Sequence, residues 1–145
     1  MSAKVAMSLR LKIIWLLVVT NSLVAICFSA SCGGVRWKMR MAEAEGYLRK
    51  IERAENEYKP KNGRYGTLRE LSDTGLISGS LAKGVGDGYR YEIRLKDDSY
   101  QAHALPDKTV DHNLPAFLID ESGVMHMSPL EATEATVNDP SPSEK

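Results

Sequence analysis

The chain has 145 residues, with 19 basic and 19 acidic side chains and a formal net charge of zero. Without a global field there is no electrostatic pull toward nucleic acid, and binding to it is not expected. Both cysteines, Cys27 and Cys32, lie in or at the end of an apolar N-terminal run. That excludes a disulfide framework, a zinc cluster and a thiol nucleophile from the rest of the chain.

The chain reads as three parts: a signal or anchor segment over 1–35, an α+β domain over 36–129 and a disordered tail over 130–145. The middle part, roughly 95 residues, is enough for one small core. Lys4, Arg10 and Lys12 precede the run IIWLLVVTNSLVAICFSA, as an export signal requires. Three outcomes stay open. Residues 13–35 carry no charge and match the roughly 20 residues of a spanning helix, so a retained anchor fits. Ser29-Ala30-Ser31 resembles a small-residue cleavage site, which would free the domain. Ser-Ala-Ser-Cys-Gly-Gly resembles a bacterial lipobox and makes Cys32 a lipid-attachment candidate, although Ser29 stands where Leu is usual. The plain alternative for Cys32 is an inert small residue in an apolar helix.

From Trp37 the pattern turns amphipathic. Trp37, Met41, Ala44, Leu48, Ile51 and Tyr58 recur at spacings of three and four, with charged residues on the other faces. The helix is expected to stop before Pro60, with a turn at Asn62-Gly63. Thr67 and Glu70 have capping-box spacing for a second, short helix, and Gly75 suits its C-terminal cap. Ser80-Leu81-Ala82 reads as one more turn. Gly84-Val85-Gly86-Asp87-Gly88 precedes a strand rather than following one, so a flexible lead-in to a sheet explains it better than a phosphate loop.

Strict alternation then predicts strands. Tyr89, Tyr91, Ile93 and Leu95 alternate with charged residues, and Asp97-Asp98-Ser99 makes the turn. Tyr100, Ala102 and Ala104 return, their small side chains leaving room for the helix. Residues 116–119 and 124–127 form a second hairpin around Asp120-Glu121-Ser122-Gly123. The polar C-terminal segment, with two prolines and no aromatic, is expected to be solvated.

No catalytic set emerges. His103, His112 and His126 have no local metal-ligand spacing, and His103 and His126 fall on the polar strand face as exposed histidines. Asp107, Asp111, Asp120 and Glu121 match no calcium loop and read as turn residues. No nucleophile-elbow, zincin or phosphate-loop motif occurs. The six tyrosines read as half-buried residues joining helix to sheet. The expectation is therefore a non-enzyme with no cofactor, no metal and no small-molecule substrate.

Three stretches, MRMAEAEGYLRKIERAENEY, NGRYGTLRELSDTGLIS and GYRYEIRLKDDSYQAHALP with AFLIDESGVMHMS, together resemble the type IV pilin-like family. The small pseudopilins of type II secretion are the nearest in character. The resemblance spans about Ile13 to Met127 and implies a long N-terminal helix, an apolar anchor continuing into an amphipathic part, packed on a small antiparallel sheet. It further implies a protein of the bacterial inner membrane with its domain in the periplasm, acting by helix packing against other pilin-like subunits or a membrane complex. Trp37, Met41, Ala44 and Leu48 would form the partner-helix face; burial against the chain's own sheet is the plain alternative. The segment opening Arg10-Leu11-Lys12-Ile13-Ile14-Trp15 lacks the Gly and Glu of a prepilin. A second reading follows from that departure: a lipoprotein or periplasmic accessory subunit that keeps the fold without forming a filament.

Overall fold

The computed structural model describes residues 32–110, 114–130 and 134–142. The apolar segment through residue 31, with Cys27, and His112 lie outside the described residues. The chain divides into two compact units, Met1–Arg36 and Trp37–Lys145, and the packing below belongs to the second.

Helix α1 runs Cys32–Asn62, α2 Leu68–Asp73 and α3 Gly79–Ala82. Strands β1 (Val85–Gly86), β2 (Tyr89–Lys96), β3 (Ser99–Pro106), β4 (Phe117–Asp120) and β5 (Met125–Met127) follow. They form one antiparallel meander in sequence order. The expected α+β architecture, a helix packed on a small antiparallel sheet, is what the chain adopts.

The apolar stripe of α1 makes the contact. Ala44, Leu48 and Ile51 are fully buried, and Ala54 and Tyr58 nearly so. They share one core with the front face of the sheet. Two rows cross that face: Tyr91, Ala104, Phe117 and Met127, then Ile93, Ala102, Ile119 and Met125. The small Ala102 and Ala104 sit mid-sheet, both without exposed surface. Burying side chains of this size contributes about 1.5–3 kcal/mol each.

Some boundaries differ from the pattern. The helix passes Pro60 and ends at Asn62. Pro60 removes only the bond to Asn56, whose exposed position lets water satisfy the carbonyl. The end is then closed by Gly63, whose N–H donates to Lys59 O at 2.8 Å with φ +74°. Asn62 Nδ2 adds a bond to Tyr58 O. The capping box at Thr67 and Glu70 forms as expected. Gly75 completes a Schellman cap, with Leu76 N–H donating to Leu71 O and Gly75 N–H to Ser72 O.

The glycine-rich stretch is an ordered hairpin rather than a flexible lead-in. Asp87 and Gly88, both at positive φ, join β1 to β2 in the manner of a two-residue Asp-Gly turn. The next turn is likewise two residues, Asp97-Asp98, with Ser99 already paired to Lys96. β4 starts one residue later than expected and β5 at Met125.

The tail is described over residues 134–142, most of which are exposed, and it touches the domain at a few points. Ala135 is 2 % exposed and clusters with Ala116 and Leu118. Met127 N–H donates to Pro140 O at 3.0 Å. The segment works as a strap over the back of the sheet.

Candidate functional site

The residues expected to meet a partner helix separate into two pairs. Ala44 and Leu48 have no exposed surface and are spent on the chain's own core, so they are not part of an outward face. Trp37 and Met41 are half-buried at the edge of that core. The outward face of α1 carries Met39, Ala42, Gly46, Lys50 and Arg53 instead, and Met39 is 59 % exposed. Nothing lies within 4 Å of where a Gly46 Cβ would sit.

Beside Gly46, Ala42, Glu45, Arg49, Met125, Ser141 and Pro142 line a cavity of about 500 Å³ open to solvent. Arg49 fixes its rim by donating to Gly123 O at 2.7 Å and pairing with Glu52 at 3.1 Å. Burial pushes the Glu45 carboxyl up, and Arg49 opposes the shift. Cys32 is the first residue of α1.

A second polar feature joins α1 to the Tyr65-Gly66 connection. Glu55 has no exposed surface. Its Oε2 accepts from Gly66 N–H at 2.9 Å, while Oε1 has no partner. Burial raises this carboxyl to about 7, against the bond from Gly66 and the charge of Arg64, which lower it. Gly66 must be small, because a Cβ there would lie 3.1 Å from the Tyr58 ring and 3.3 Å from Leu71. The connection is further pinned by Arg64 pairing with Glu70. Arg64 and the Thr67 donors hold the Glu70 carboxyl down to about 2. Sequence reasoning passed over Glu55. The signal was present, since Glu55 lies on the buried stripe between Ile51 and Tyr58.

The back of the sheet holds another correction. His103, expected to be exposed, is 2 % exposed, and neither ring nitrogen has a hydrogen-bond partner. It sits in a row across four strands: Glu92, His103, Leu118, His126. Desolvation pushes its pKa down, and Arg94 pushes the same way against Glu134 and Glu92. Half-buried His126 places Nδ1 2.6 Å from Asp139 O. A carbonyl only accepts, so Nδ1 carries the hydrogen.

The remaining candidates are absorbed by structure. Asp107 Oδ1 accepts from Thr109 N–H and its hydroxyl, and Asp120 Oδ1 from Ser122 in the same way, which makes both turn residues. Tyr47 meets Tyr91 edge-on at 5.3 Å, and Tyr65 meets Tyr100 at 4.7 Å, tying helix and connection to the sheet. Among the described residues no group of three or more His, Cys, Asp or Glu could hold a metal ion. Among them, too, no helix is long and apolar enough to cross a membrane. No family model, no curated protein and no solved structure matches the chain.

Proposed function

We propose that this is a non-enzymatic, pilin-like structural or assembly protein held at the bacterial inner membrane, with its domain in the periplasm. The observation that carries this is one of order. In sequence an uncharged stretch over 13–35 precedes the amphipathic part of α1, and the apolar stripe of that part shares a core with an antiparallel sheet. Because Ala44 and Leu48 are internal, contact with other pilin-like subunits or a membrane complex is assigned to the outward face at Met39, Ala42 and Gly46. Small side chains there allow close approach of a second helix.

Cys32 motivates a second reading, a lipid-anchored accessory subunit. Intact mass of protein from its native membrane separates the two. The unprocessed mass, with retention through an alkaline wash, supports the helical anchor. A mass beginning at Cys32 plus acyl chains makes the protein a lipoprotein and removes the anchor reading. A mass beginning at Cys32 or nearby without acyl chains, with the protein soluble, overturns both.

A further inference from the structure

The back of the sheet combines features that neither the fold nor the proposed function uses. His103 is buried with two unpartnered ring nitrogens. Leaving a buried polar group unpaired costs about 1–3 kcal/mol, so the strap covers a site that favours being opened to water. Among the described residues the strap buries little apolar surface and is held mainly by polar contacts, Ser141 included. Arg94 pairs with Glu134 at 2.9 and 3.0 Å, both side chains about half exposed. Asp139 O takes the His126 Nδ1 hydrogen, Pro140 O takes the Met127 amide hydrogen, and Ala135 is the one apolar side chain buried. The Thr136 amide and hydroxyl donate to the Asp139 carboxylate, which shapes the strap without fastening it.

We propose that residues 134–142 form an acid-released cover, with His103 as its proton sensor and the outer edge of β5 as the surface it closes. The groups facing His103 are Glu92 and Arg94 from β2, Gln101 on its own strand, Leu118 from β4 and Glu134 from the strap. A proton on the imidazole there places a cation beside Arg94 in a buried site, and lifting the strap exposes the charged ring to solvent. Arg94 holds Glu134 below the ordinary carboxylate range, so the pair stays charged while the histidine titrates. The sensor is therefore not the acid of the ion pair. Release frees the Met127 N–H on β5, the last strand of the sheet, and an unpaired edge of this kind can accept an added strand.

The sign is fixed by linkage. The open state binds a proton at the ordinary histidine value near 6.5 and the closed state only at lower pH. Between those values the opening constant rises by up to about tenfold per pH unit as pH falls. Backbone hydrogen exchange of the full-length protein in detergent, corrected for intrinsic rates, measures it. From pH 7 to pH 5 the Met127 amide and the strap amides should lose protection, by up to about tenfold per pH unit, while the β3 amides do not. His103→Phe should abolish the change. Unchanged protection, equal loss in β3, or an undiminished change in His103→Phe would overturn the proposal. Should that variant not fold, the wild-type His103 ring titration followed by NMR decides. A midpoint coinciding with strap opening supports the sensor, and a separate midpoint removes it.

Discussion

On the front of the sheet, Leu48 and Ile51 of α1 meet Ala102, Ala104, Phe117 and Ile119, none of them exposed. On the back, one alanine of the strap covers Ala116 and Leu118, and the rest of the closure is polar. Glu55 beside the front core and His103 on the back are both buried, and their effects on stability have opposite signs. Front-side Glu55 is held above the ordinary glutamate value, so its contribution favours the folded state at low pH and declines as pH rises. Back-side His103 is held below the ordinary histidine value, so its contribution is present at neutral pH and declines on acidification. The front is closed by volume and the back by a few bonds. The first resists opening, and the second is built so that one proton can shift it.

The largest expected difference comes from the apolar layers. Leu48→Ala should cost about 2–5 kcal/mol, measured by urea unfolding, because the helix and sheet cannot both collapse into the gap. Leu118→Ala should fall at about 2 kcal/mol, the low end, since the strap can settle over the loss. Equal costs would erase the distinction between the faces.

Glu55→Gln comes next. Its effect should depend on pH, since glutamine keeps an acceptor for Gly66 but cannot ionise. Relative to wild type the variant should gain on the order of 3 kcal/mol between pH 4.5 and pH 7, the window set by the ordinary and raised values. A pH-independent difference in unfolding free energy would show that the carboxyl does not titrate in the fold. Gly66→Ala should cost about 1–3 kcal/mol, by overpacking against Tyr58 and Leu71.

How much of this the sequence disclosed follows from how local each signal is. The period of α1, the capping box at Thr67 and the alternation of β2 are written over a few residues and are legible there. The place of Glu55 on the buried stripe is legible in the same way, but its partner is not, because Gly66 lies eleven residues further on. His103 occupies a polar-face position, and only the strap, returning from residue 134, makes that face an interior. Composition alone suggests a solvated tail and does not disclose the buried Ala135 or the polar contacts of Glu134, Asp139 and Pro140. Ala44 and Leu48 were correctly placed on the apolar stripe, but a stripe does not say whether its partner is the chain's own sheet or another molecule.

The smallest effects sharpen the same contrast. Arg94→Met should cost under about 1 kcal/mol in global unfolding, as exposed ion pairs do, yet loosen the strap amides in hydrogen exchange. Gly46→Ala should raise stability by about 0.5–1 kcal/mol, since the Cβ enters open space and the helix gains propensity. If the outward face meets a neighbour in the membrane, the same substitution should weaken assembly.

The most direct test of helix-mediated assembly is thiol cross-linking in native membranes with Gly46→Cys, compared with wild type and with Arg69→Cys, an exposed site on α2. The account predicts a covalent dimer or higher species from Gly46→Cys above both controls. No such species from Gly46→Cys, or an equal yield from Arg69→Cys, would contradict the assignment of the outward face of α1 as the subunit contact.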